Sequence, residues 1–238
     1  MRIDNPIIGS SDDWRLELTS ATQRLLGDTI SLDDRDWRAT TALPGWSRAH
    51  IATHLAHHGQ AVTTMALDIR HTRDAVVWHT QQSQASLNAG ARRGAVALQE
   101  ALDQSSATLM SAFDLLDVMG WSTSIRTSQG LLPAPVLVVD RLNQVVIHHI
   151  DLGLDLDFAD LEPNLTRTLL QWNLFRAIPR FARVELTVIS DEGFTGVIGH
   201  GPAATVRGNE TNILGWLLGR KDASAVLGAE GLDLADPV

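Results

Sequence analysis

Six of the nine histidines fall in two short segments: His50, His54, His57 and His58 in one, His148 and His149 in the other. Residues four apart share a helix face, so His50, His54 and His58 form one row, with His57 offset. In the second segment Gln144, His148 and Asp151 lie on one side, at i, i+4 and i+7. His148 stands inside Val-Val-Ile-His-His-Ile, which predicts burial. A buried imidazole needs a partner at its ring nitrogens or costs roughly a few kcal/mol. A metal satisfies one nitrogen, and a carboxylate or carbonyl the other. Imidazole donors favour zinc, nickel, copper or iron over magnesium. The spacing therefore suits a metal or polar site between two facing helices, centred on His54 and His148. A hydrogen-bonded polar core without an ion would satisfy it equally. His57, His71, His79, His149 and His200 read as solvated or structural.

The elements that must position these groups follow from the apolar periodicity. A first helix is predicted over about 11–26, on Trp14, Leu16, Leu18, Ala21, Leu25 and Leu26, with Gly27 as its stop. An acidic loop follows. Leu43-Pro44-Gly45-Trp46 is turn chemistry, and Ser47 is the N-cap of a second helix over about 48–70. Residues 71–86 read as a loop. A third helix is expected over about 87–116, on Val96, Leu98, Leu102, Leu109, Ala112 and Leu115. Trp121 to Leu132 reads as extended or irregular. Pro133 and Pro135 suit the entry to a fourth helix over about 134–152, apolar on nearly every side and so interior. Four such helices read as a bundle.

After Gly153 comes an acidic connector, and Pro163 looks like the first residue of a fifth helix through about 175. The periodicity then alternates. Val184, Leu186 and Val188 predict a strand, Gly-Phe-Thr-Gly-Val-Ile-Gly and Ala-Thr-Val-Arg-Gly two more. Asn209 opens a short helix through Leu218, and Ala225 to Ala229 reads as a last strand. The expected fold is α+β in two domains. A four-helix bundle spans 1–156, and a small α+β domain with a short antiparallel sheet spans 163–238.

Composition narrows the chemistry. The 238 residues carry a net charge of −9 and no basic stripe, which argues against nucleic acid as a partner. There is no cysteine, so any thiol chemistry needs a thiol brought from outside. The first residues, acidic and without an apolar core, do not read as a signal peptide. No stretch approaches the roughly 20 apolar residues of a membrane span. The expected address is cytoplasmic, the expected state a monomer or homodimer. Seven Trp and five Phe, with no Tyr, read mainly as packing.

The segment LPGWSRAHIATHLAHHGQAV, residues 43–62, resembles the second-helix signature of the mycothiol-dependent maleylpyruvate isomerases and their DinB-like relatives. RLNQVVIHHIDLGL, residues 141–154, resembles the fourth-helix signature, and TSQGLLPAPVLVVDR the stretch leading into it. The C-terminal half, with GWLLGR, is similar to the family's second domain. The resemblance implies a DinB-like four-helix bundle that binds a divalent metal, usually zinc, through His54, Gln144 and His148. It also implies mycothiol as cofactor. The thiolate would add to the double bond of maleylpyruvate, the adduct rotate, and elimination leave fumarylpyruvate. Arg220 matches an Arg that the family sets over its active site, and Arg220 with His58 would serve the cofactor. Arg141 or Arg220 would pair with an anionic substrate.

Two positions depart from the family pattern. Where the family carries a glutamate ligand this chain has Gln144, a neutral and weaker donor. Asp151, one turn past His148, or His58, one turn from His54, could take the third position instead. The stretch WHTQQSQASLNAG also lacks the family's Arg before the third helix. Three readings stay open: a metal- and thiol-dependent isomerase or S-transferase, a degenerate relative that binds a small molecule or partner, and a scaffold protein.

Overall fold

A computed structural model describes residues 2–3, 11–72, 76–78, 80 and 82–232. His79 and most of the N-terminal stretch read above lie outside the described residues. The chain divides into two compact units. One covers 9–155; the other covers 156–238 and takes in Arg2 and Ile3 as well.

The first unit is built on four long helices. Helix α1 (Ser11–Thr29) buries Trp14, Leu18 and Leu25 along one stripe, while Leu16, two residues off that stripe, is exposed. It runs past Gly27 to Thr29, whose hydroxyl bonds back to the Leu25 carbonyl. The acidic stretch after it is not all loop. Asp33 and Asp36 form a reciprocal capping box that opens a short helix, α2 (Asp34–Arg38), and buries Trp37. The N–H groups of Asp36 and Arg35 and the side chain of Asp36 hold the Asp33 carboxyl below its ordinary pKa.

Helix α3 (Arg48–Thr72) follows, then a short strand, β1 (Val76–Val77). The expected third helix is two. Helix α4 (Gln84–Gly90) stops before a turn at 91–94, and α5 (Ala95–Asp114) restarts with Gly94 at its N-cap. Gly90 lies against α3, where a Cβ would stand 2.3 Å from the Thr53 methyl, so only glycine allows this approach. Val96 and Leu115, expected on the apolar face, are exposed; Leu98, Leu102 and Leu109 carry the packing.

A single-turn helix, α6 (Val118–Trp121), leads to strands β2 (Ser124–Thr127) and β3 (Gly130–Pro133). They pair antiparallel, and β1 adds to β2 in parallel. Helix α7 (Val136–Asp151) is buried at every position except Gln144 and Ile150, which are half-buried. Helix α1 packs on α7, α7 on α3, α3 on α5 and α5 on α1, which closes the ring of the bundle.

In the second unit α8 (Pro163–Ala177) begins with Pro163 in its first turn, as expected. Strands β4 (Glu185–Ser190), β5 (Thr195–Ile198) and β6 (Ala203–Gly208) form a sheet in the order β5-β4-β6, and α9 (Glu210–Leu217) follows, capped by Asn209. The sheet is mixed: β4 pairs antiparallel with β5 and parallel with β6. To reach the far edge, the loop after β5 must pass tightly under the start of β4. Gly199 makes that possible, since at φ 72° a Cβ would lie 2.1 Å from the Phe181 carbonyl oxygen. The strand expected at Ala225 to Ala229 reduces to one bridge between Leu227 and Arg207. At the chain start Ile3, 2% exposed, donates its N–H to Val197.

Candidate functional site

The site grows from the turn before α3. Pro44 and Gly45, the latter at φ 78°, make a type II turn closed by Trp46 N–H to the Leu43 carbonyl at 3.1 Å. That turn sets the Trp46 ring against the first histidines of α3. Its centroid lies 6.3 Å from His50, 5.4 Å from His54 and 6.3 Å from His148, nearly parallel to the last. Ser47, just before the helix, lies with Oγ 2.8 Å from His50 Nδ1, and its N–H donates to the same nitrogen at 3.1 Å.

Helices α3 and α7 then meet in an antiparallel ladder of polar groups. His54 Nε2 lies 2.8 Å from Gln144 Oε1. One turn deeper, His58 Nε2 lies 2.8 Å from Asp140 Oδ2, both side chains 3% exposed. Four residues forward on α3 match four back on α7, because both helices repeat every turn. Above these rungs the His54 and His148 rings stand 4.7 Å apart, edge to face at 72°. Asp151 Oδ2 holds His148 Nδ1 at 2.9 Å, which leaves Nε2 as the donor nitrogen.

Burial controls the charge of His54. Loss of water lowers its pKa most, His148 lowers it further, the Gln144 bond opposes, and His58 and Arg141 add to the lowering. The result is about 3, so the ring is neutral near pH 7 and keeps a lone pair for a ligand.

The expected residues separate clearly. His54, Gln144 and His148 come together, the imidazoles close enough to share an ion through bonds of about 2 Å. Asp151 stands behind His148 as an orienting carboxylate. His58 is engaged with Asp140. Arg141 is 1% exposed, with Nη1 donating to the Leu55 carbonyl at 2.7 Å and Nη2 to Ser106 Oγ at 3.4 Å. Its guanidinium therefore lies inside the bundle on protein acceptors rather than at an open face for a substrate. Burial lowers its pKa to about 10 against the raising effect of Asp140. Arg220 belongs to the second unit, where Nη1 donates to the Leu218 carbonyl. His149 is buried beside Asp28, Nε2 to Oδ2 at 3.0 Å, and burial lowers its pKa.

Two neighbours went unread in the sequence. Trp46 is one; the Pro-Gly turn was visible, but its target was not. Asp140 is the other; its spacing four residues before Gln144 was the available signal. Among the described residues no group of three or more His, Cys, Asp and Glu is arranged to hold a metal; the trio here includes an amide.

A helical bundle with facing imidazoles at its interior, followed by a small α+β unit, defines the class of protein. Residues 18–153, more than half of the chain, match the family described as the mycothiol maleylpyruvate isomerase N-terminal domain, and the chain belongs to that family. Two solved structures are similar over 97% of each chain. One is the mycothiol-dependent maleylpyruvate isomerase, at 20% identity and a TM-score of 0.79. The other is a histidine-to-alanine mutant of a mycothiol-dependent maleylpyruvate isomerase, at 19% and 0.78. They share this chain's fold. No curated protein matches. No helix among the described residues is long and apolar enough to cross a membrane.

Proposed function

We propose that the protein is a metal-dependent enzyme that uses a low-molecular-weight thiol, mycothiol, as an isomerase or S-transferase on a small anionic or electrophilic substrate. The observation that carries this is the meeting of His54 and His148, from separate helices, at 4.7 Å with Gln144 on the same spot. Those three side chains would hold a divalent cation, zinc first among the candidates for imidazole donors. A cation and thiol held there would supply a sulfur nucleophile of low pKa, suited to reversible addition to an electrophilic double bond. Asp151 fixes the tautomer and direction of His148. Trp46 packs its ring beside both imidazoles. His58 and Asp140 support His54 from below. Arg220 would pair with the anionic group of the substrate or cofactor.

The test is metal content and turnover together. Protein purified without metal and then given zinc should bind one equivalent, lose it in His54→Ala and His148→Ala, and isomerise maleylpyruvate only with thiol. No zinc bound and no turnover would end this reading.

A second reading draws on one specific contact. The direct bond from His54 Nε2 to Gln144 Oε1 at 2.8 Å gives each side chain a partner without an ion. The trio is then a structural polar core in a non-catalytic relative, and chelators leave the melting temperature unchanged. A clear loss on chelation excludes it, because a site-bound metal stabilises by linkage.

A further inference from the structure

We propose that Arg48 is a positioning residue for the site: its guanidinium ties the last turn of α7 to the head of α3 and so sets how closely His148 approaches His54. The inference rests on the metal reading above and deepens it.

The register of the two helices carries it. The bonds from His54 to Gln144 and from His58 to Asp140 follow one count, four residues forward on α3 against four back on α7. The same count brings position 50 opposite position 148. That rung is not made between these two residues: His50 Nδ1 accepts from Ser47 N–H at 3.1 Å, and His148 Nδ1 lies 2.9 Å from Asp151 of its own helix. The next cross-link comes from Arg48. Its Nε donates to the Leu152 carbonyl at 2.8 Å and its Nη2 to the Gly153 carbonyl at 3.1 Å. Helix α7 ends there. Gly153 stands at φ 61°; its N–H bonds to Ile150, and that of Leu152 to His148 and His149, which closes the last turn. The carbonyls of Leu152 and Gly153 lie past that turn, where a helix leaves acceptors without partners of its own, and a planar fork can take both. A cation suits the tail of α7. At the head of α3, whose first turn has no acidic residue, it opposes the dipole of its own helix. Local preference therefore does not place Arg48; the contact with α7 does. His148 lies one turn before Leu152, so Arg48 and the pair His58 and Asp140 bracket the meeting of His54 with His148 from its two ends.

The experiment titrates Co(II) into the metal-free full chain by calorimetry and records the visible ligand-field bands at saturation, which report the geometry of the donors. Arg48→Ala should bind Co(II) on the order of tenfold more weakly than wild type, the scale for groups that orient metal ligands. Its bands should also shift or lose intensity. Added methylguanidinium chloride should restore both in Arg48→Ala and change neither in wild type. Arg48→Lys, with one ammonium in place of the fork, should fall between the two, and it carries the comparison should Arg48→Ala not fold. Affinity and bands equal to wild type in Arg48→Ala, or in Arg48→Lys where that is the variant measured, overturn the positioning role and leave the metal site standing. Weaker binding with unchanged bands assigns Arg48 to general stability and overturns it too. Wild type that binds no Co(II) overturns the metal reading together with this inference.

Discussion

His58 on α3 and Asp140 on α7 are joined at 2.8 Å one helical turn beneath the bond between His54 and Gln144. The deeper rung is almost fully dry and lies beside the buried guanidinium of Arg141. It fixes how the two helices register, and so where His54 meets Gln144. Asp140→Ala should destabilise the protein by about 3 kcal/mol, since it strands a buried imidazole and removes the counter-charge of Arg141. Urea unfolding measures this. The double variant His58→Leu/Asp140→Leu should lose clearly less than the sum of the single changes.

Trp46 touches three imidazoles and is placed by its own tight turn. Trp46→Leu should weaken Co(II) retention by on the order of tenfold, the scale seen when groups behind metal ligands are removed. Trp46→Phe should restore most of it. Urea unfolding should move far less than for Asp140→Ala, because Trp46 is only half-buried.

Acid should unfold the metal-free protein through His54. Its folded pKa, about 3, lies below the ordinary value of 6.5, so the neutral form is the one that folding favours. The contribution is intact above pH 6.5 and is lost as pH falls from there toward 3. The slope from this group approaches roughly 1.4 kcal/mol per pH unit at most. Denaturation midpoints measured from pH 7 to pH 4 should fall less steeply in His54→Gln than in wild type.

Arg220→Ala should leave zinc stoichiometry unchanged while lowering thiol-dependent turnover by on the order of tenfold or more, the cost of losing substrate or cofactor positioning. Parallel loss of zinc would assign the residue a structural part.

Gly199 holds φ at 72° with the Phe181 carbonyl in its way. Gly199→Ala should cost about 2 kcal/mol or more through backbone strain and the clash together. A lowered melting temperature, with Co(II) binding by the first unit retained, is the expected pattern.

Much of the helical frame was readable because periodicity survives packing. The start of α3 at Arg48 and the interior character of α7 came directly from the order of apolar residues. So did Pro163 at the head of α8. The capping box of Asp33 and Asp36 was readable too, but a run of acidic residues resembles a loop until the hydrogen bonds are seen. The break between α4 and α5 was not readable. Gly90 ends a helix there because Thr53 of another helix occupies the space a side chain would need.

The residue order by itself determined that His54, Gln144 and His148 sit on single helix faces, that position 144 carries no charge, and that any thiol must come from outside. These are properties of spacing and composition, which the chain holds whether folded or not. Tertiary structure decided that the two imidazoles meet at 4.7 Å, that Asp151 and His58 serve as partners behind the meeting point, and that Arg141 turns inward. It also decided that Ile3 joins the distant strand β5. Such pairings depend on which helix faces which and on what burial does to charge, and neither is written in local sequence.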